Sequence, residues 1–228
     1  MKFFKMLIKK CIYQYYGLMP EIKIPYETVN PGEQAWYFKK GSLTQNSIVY
    51  SFGLADNIDF DINIIKSYNV NVFGFDPTPS SIKFISSLEI PKQFYHFPLA
   101  IADYDGELDF IIPRDSNISG FSKNLHKNSQ DEFTEIKVSC CSLSSIMNKL
   151  GHDKIDLLKM DIEGMEYKVI DQLVMEHFDI QQILVEFHHR FSGIGLHKTL
   201  LAVRKLRSSG FKLFHVSPWC EEYAFIKE

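Results

Sequence analysis

Two short stretches hold most of the side chains that could do chemistry. In Leu157-Leu158-Lys159-Met160-Asp161-Ile162-Glu163-Gly164-Met165-Glu166, an apolar run ends in three carboxylates within six residues. Such acids repel one another unless a cation, a ligand or hydrogen-bond donors offset the repulsion. Glu166 falls in the first turn of the helix expected next, where complementing the helix dipole is enough to explain it. Asp161 and Glu163 lack that explanation. The second stretch is Leu184-Val185-Glu186-Phe187-His188-His189-Arg190. Glu186 and His188 are two residues apart, so an extended strand presents both on one side. A Glu/His pair beside Asp161 suits acid–base work or metal binding. His189 and Arg190 are then expected to face solvent or an anionic part of a substrate.

Three more clusters stand where an apolar run gives way to small and acidic residues. In Ser51-Phe52-Gly53-Leu54-Ala55-Asp56-Asn57, the absence of a Cβ at Gly53 would let a nucleotide-like ligand approach the backbone. Gly53 and Ala55 imitate a GxGxG turn only in part, and a tight structural turn accounts for them equally well. About twenty residues later, Gly74-Phe75-Asp76-Pro77 places a carboxylate where such folds bind ribose hydroxyls. Asp76 before proline also starts a turn, but its spacing from the first cluster favours the ribose reading. Pro98-Leu99-Ala100-Ile101-Ala102-Asp103 could flank a purine ring, with Asp103 accepting from its exocyclic amine. An acidic turn leading into Asp105-Gly106 is the plainer alternative.

These clusters need strand ends to hold them. Buried strands are expected over 47–52, 71–75, 94–97, 155–160 and 182–187, with an added strand over 107–112 and an extended segment over 135–139. Helical spacing covers 60–68, a short helix capped by Ser80 or Ser81, 143–150, about 164–176 and about 196–209. Phe211 to Val216 and Tyr223 to Ile226 form a closing hairpin. Repeated strand–helix–strand order implies a doubly wound, mostly parallel α/β sheet with helices on both faces and ligands beyond the carboxyl ends of its strands. The polar stretch between 113 and 135 reads as a long surface loop, and 114–127 as a lid over an acceptor or as solvated chain.

The totals narrow the function. A chain of 228 residues with 45% hydrophobic and 23% charged residues suits one large domain. A formal net charge of -3 gives no basic field for a nucleic-acid partner. Cys11, Cys140, Cys141 and Cys220 form no CxxC pair and read as reduced thiols of a cytoplasmic protein. No apolar run is long enough to span a membrane. The opening MKFFKMLIKKCIYQYYG reads as an amphipathic helix. It would pack on the domain or a partner subunit, with weak peripheral membrane contact as the lesser option. Residues 1–46 are thus a lead-in segment, and 47–228 the globular unit.

Taken together, DLLKMDIEGMEYKVI, ILVEFHHRFSGIG, VYSFGLADNIDFD, VFGFDPTPSSI and FPLAIADYDGELDF resemble, in order, the sequence blocks of FkbM-type methyltransferases. The resemblance covers roughly residues 47 to 227. It implies the seven-stranded, Rossmann-like class I methyltransferase sheet and S-adenosylmethionine as cofactor. It carries the methionine portion of the cofactor past the turn that holds Ser51, Gly53 and Asp56. Asp76 then meets the ribose, Asp103 lies near the adenine, and Asp161 faces the methionine amino group or the reacting centre. Glu186 and His188 line the acceptor side. Ser51 and Ala55 depart from the acidic and glycine residues that many class I enzymes have there. The acceptor that the resemblance implies is a hydroxyl of a sugar, glycan or secondary metabolite.

For such an acceptor, the expected general base is His188, with Asp161 or Glu186 orienting it or the hydroxyl. A divalent metal held by Asp161, Glu186 and His188 is the alternative. Two rival functions remain. A nicotinamide-dependent oxidoreductase would use Asp76 for its ribose but lacks GxGxxG, and a degenerate domain serving as a binding subunit would explain the altered turn. Oligomeric state is left open, with a homo-oligomer allowed.

Overall fold

The buried apolar runs become the seven strands of one sheet in a computed structural model that describes residues 2–29, 35–113, 121–122, 133–191 and 193–228. In chain order these are β1 (Ile48–Phe52), β2 (Asn71–Phe75), β3 (Phe94–Phe97), β4 (Leu157–Met160), β5 (Gln182–Glu186), β6 (Phe211–Val216) and β7 (Glu222–Lys227). Their spatial order is β6-β7-β5-β4-β1-β2-β3. The five strands from β1 to β5 run parallel, and β7 lies antiparallel between β5 and β6. All four residues of β4 are buried, as a strand flanked by neighbours and covered on both faces requires.

The chain order reverses between β1 and β4. From β1 the chain moves outward through β2 to β3, then returns to place β4 on the other side of β1. That is the switch point at which a doubly wound sheet opens a crevice beyond its carboxyl edge. The helices α1 (Lys2–Tyr15), α2 (Asp59–Tyr68), α3 (Pro79–Ser86), α4 (Leu143–Leu150), α5 (Glu166–Glu176) and α6 (Leu196–Ser208) cover the sheet. One face packs Leu158 and Met160 of β4 against apolar side chains of α4, α5 and α6; the other packs Leu157 against Phe60, Ile64 and Ile65 of α2.

The lead-in segment belongs to the same cores. Tyr13 and Leu18 join the first, and Trp36, Phe38 and Leu43 the second. The opening helix therefore packs on the domain, with Lys9 Nζ 3.3 Å from Glu221. No helix among the described residues is long and apolar enough to cross a membrane. All four cysteines are free.

Local details differ from the sequence expectations for identifiable reasons. The cap of α3 is Thr78 rather than Ser80 or Ser81, with Pro79 opening the helix, as a fixed φ favours. The apolar run over 155–160 is divided at Asp156, whose carboxylate accepts from the Ile48 N–H at 2.7 Å. Lys154–Ile155 then pairs separately with Asp179–Ile180. The added strand extends over Gly106–Pro113 and pairs with Phe133–Cys141 in a second, four-stranded sheet. Phe121–Ser122, inside the expected loop, joins that sheet. The rest of the expected lid over 114–127 lies outside the described residues.

Candidate active site

The crevice at the switch point is a cavity of about 370 Å³, within the usual size of a small-molecule site. Its walls follow the strand order. On the β3 side they are apolar, with Leu99, Ala100, Ile101, Leu108 and Phe110. In the middle lie the turn after β1 and the residues after β2. On the β4 and β5 side stand Asp161, Glu163, Glu186, His188, Arg190 and Glu222.

The first turn is built around a backbone collision avoided. Gly53 has φ +79°, and a Cβ there would lie 1.6 Å from the carbonyl oxygen of Asp161. The Asp161 N–H in turn donates to the Phe52 carbonyl at 2.9 Å. The end of β4 thus imposes the glycine, the tight structural turn that the sequence offered beside a ligand contact. Asp76 clamps the same turn. One of its oxygens accepts from the N–H groups of Leu54 (2.9 Å) and Ala55 (2.8 Å), and the other from the Thr78 N–H (2.8 Å) and hydroxyl (2.6 Å). A carboxylate has about four acceptor positions, so the turn itself accounts for Asp76, which lines the cavity while occupied by protein donors.

His188 is the centre of the charged end. It is 2% exposed. Its Nδ1 is 2.8 Å from Glu166 Oε1, and its Nε2 is 3.3 Å from Glu163 Oε2 and 3.7 Å from both Asp161 Oδ1 and Glu186 Oε1. Glu166 is fully buried. The same Oε1 also accepts from the N–H groups of Ile162 and Gly164, each at 3.1 Å. It therefore fixes both the acidic loop and the imidazole, a role that the dipole argument concealed. Burial disfavours the charged ring, but Glu166, Glu163 and Asp161 outweigh it and push the His188 pKa up to about 10.

That direction bears on two expectations. A ring held charged by these acids would carry protons on both nitrogens and would have no lone pair with which to act as a base. The residue that orients it is Glu166, not Asp161 or Glu186. Asp161, Glu186 and His188 do offer ligand atoms within 4.8 Å of one another, a spacing that a metal could use. With a metal bound the ring would be neutral and would ligate; without one it is held as a cation among the carboxylates. The acids respond in the opposite sense. Burial raises Glu163 to about 7, with His188 pulling back and Asp161 and Glu166 pushing further. Burial and Asp161 also raise Glu186. Glu163 holds φ 52°, a conformation that L residues with long side chains adopt at a cost.

Of the remaining expected contacts, Asp56 is exposed at the cavity wall. Ser51 is buried below the turn and is not part of that wall. Asp103 is also outside it, with Lys168 3.6 Å away, so the wall beside the expected purine is apolar and lacks this carboxylate. His189 is half-buried and stands off the cavity wall, its Nε2 sharing a 2.7 Å hydrogen bond with the hydroxyl of the buried Tyr13. Arg190 lines the cavity and pairs with Glu186 and Glu221. Lys159, Trp36 and Glu222 are lining residues that sequence reasoning missed. A lysine within a continuous apolar strand was the signal available for the first.

The chain is 29% identical over 178 residues to the human "Probable methyltransferase-like protein 24", covering 73% of this chain and 42% of that protein. The rat protein of the same name is 27% identical over 183 residues, covering 75% and 43%. The chain thus spans less than half the length of these curated relatives. Among solved structures, the Methanococcus jannaschii fibrillarin pre-rRNA processing protein superposes with a TM-score of 0.50 at 9% identity, over 83% of this chain and 70% of that one; this is a likeness of fold alone. The sequence profile described as "Methyltransferase FkbM domain" matches residues 30–213, which takes in the turn at Gly53, the Asp161–Glu166 loop and the Glu186/His188 pair, and the chain belongs to that family.

Proposed function

We propose that this chain transfers the methyl group of S-adenosylmethionine to a hydroxyl of a sugar, glycan or secondary metabolite. The observation that carries the proposal is the imidazolium of His188 set among Asp161, Glu163, Glu166 and Glu186 at one end of a cavity whose other end is apolar. Burial holds Glu163 and Glu186 toward their protonated forms, and a bound cation beside them would let both ionise. The apolar end, with Ile101, Leu108 and Phe110, suits an adenine ring.

S-adenosylmethionine supplies an electrophilic methyl group, so the protein needs no covalent nucleophile of its own. Its side chains hold the acceptor in line and keep water away. A hydroxyl needs a proton acceptor as it attacks, worth about 10²–10⁴-fold in rate. Glu163 is the best placed: its carboxylate faces the cavity, its pKa of about 7 suits a base working near neutrality, and His188 holds it from behind. His188 is then a positioning residue, and Glu166 holds His188.

Calorimetry with S-adenosylmethionine, S-adenosylhomocysteine and NAD tests the assignment, together with methyl-labelled donor and a panel of free and nucleotide-linked sugars. Binding of the two sulfur compounds but not NAD, and label recovered as a new methyl ether at a hydroxyl of the acceptor, is the expected result. Binding without turnover on any hydroxylated acceptor would instead identify a cofactor-binding subunit. Binding of NAD alone would end the proposal.

A further inference from the structure

The cavity holds a cation whose placement the acidic cluster does not explain. Lys159 lies in β4, in register with Ser51 of β1 and Leu184 of β5, where a wholly apolar strand would bury more easily. It is 5% exposed, yet it lines the cavity. Its ammonium donates to the Gly53 carbonyl at 2.8 Å and sits 5.2 Å from the centre of the Trp36 ring. An ammonium has three donors, so the Gly53 bond leaves two. Beneath it lies Asp61, wholly buried, whose carboxylate burial raises and Lys159 pulls back. Among the described residues that line the cavity, the other positive groups are His188 and Arg190, and both are held by carboxylates.

We infer that Lys159 is the anchor for the α-carboxylate of the methyl donor. This rests on the S-adenosylmethionine reading and assigns a contact within it. The donor is bipolar, with a flat adenine at one end and an amino acid at the other. Adenine suits the apolar β3 side, which sends the amino acid toward β1 and β4. There the ammonium and sulfonium are drawn to Asp161, Glu163, Glu186 and Glu222. The donor's carboxylate meets on that side only positive groups already paired with acids and is left with the ammonium at the foot of the Gly53 turn. Trp36 closes that corner from the lead-in segment, shielding the pair from solvent and strengthening it.

The test compares S-adenosylmethionine with its decarboxylated form, which keeps the ammonium and sulfonium, by calorimetry on the full chain. Wild-type protein is expected to bind the intact donor at least about 10-fold more tightly, a typical gain for a charge-assisted contact. In Lys159→Met that preference should vanish, through weaker binding of the intact donor with the decarboxylated form unchanged within about twofold. Lys159→Met/Asp61→Asn, which removes both charges together, should behave alike and guards against misfolding of the single variant. Equal affinity of the wild type for the two donors would overturn the inference without any variant. So would an equal loss for both donors in a folded variant, which would make Lys159 only a brace for the turn. If the wild type binds neither donor, the cofactor reading itself fails, and the inference with it.

Discussion

At the level of single residues, the chemistry turns on the charge around His188, which depends on Glu166 reaching the ring as the loop from Ile162 to Met165 folds back. If Glu163 is the base, Glu163→Gln should lower kcat by about 10²–10⁴-fold. Donor affinity should stay within a few-fold, and the acidic limb near pH 7 should be lost from the rate profile. An unchanged limb would move the role to Glu186. Asp76 makes a different prediction. In Asp76→Asn one oxygen becomes an amide that meets backbone donors, which costs about 1–3 kcal/mol for the groups left unpaired. The ligand-free protein should therefore melt lower, by about 2–4 °C per kcal/mol for a chain of this size. A variant that melts normally and loses only donor affinity would assign Asp76 to the ribose alone. Strand alternation makes the Glu186/His188 pair legible in the sequence, whereas Ser51, buried within β1, and Asp103, on a loop whose path periodicity does not give, stand off the cavity wall.

Among the elements, the five parallel strands and the closing hairpin were readable because each is a short apolar run with turn residues at its ends. The division at Asp156 and the reach of the second sheet were not. Both depend on pairing with distant segments, which no local pattern encodes. The turn between β1 and α2 shows how tightly neighbouring elements constrain each other. Gly53 sits against the carbonyl of Asp161, so Gly53→Ala must either push β4 away from β1 or bend the turn. With overpacking at about 1–3 kcal/mol and a left-handed φ adding about 1–2 kcal/mol, a loss of about 2–5 kcal/mol is expected. Circular dichroism melts of the ligand-free variant should fall by about 4–20 °C or show no folded protein. A variant with wild-type melting would mean that the two strand ends are not in contact.

For the molecule as a whole, doubly wound architecture followed from the order of elements, and the resemblance named its family. The lead-in segment was harder to read, since nothing in its own pattern shows that Trp36 reaches the cavity or that Tyr13 meets His189. The acidic end also gives the protein a pH dependence. Folding raises the His188 pKa from 6.5 to about 10, so the folded chain binds that proton more tightly than the unfolded chain. The stability it contributes is complete below about pH 6.5 and is lost as pH rises through about 10. The melting temperature of the ligand-free protein should therefore decline between pH 7 and 10, and His188→Gln should flatten that decline; an equally steep decline in the variant would place the titrating group elsewhere.

The cavity wall runs from Trp36, near one end of the chain, to Glu222, near the other. No contiguous half of the sequence can therefore retain a complete pocket. Limited proteolysis that nicks the chain between these residues should leave activity only while the pieces remain associated, and separately expressed halves should regain it only on reassembly.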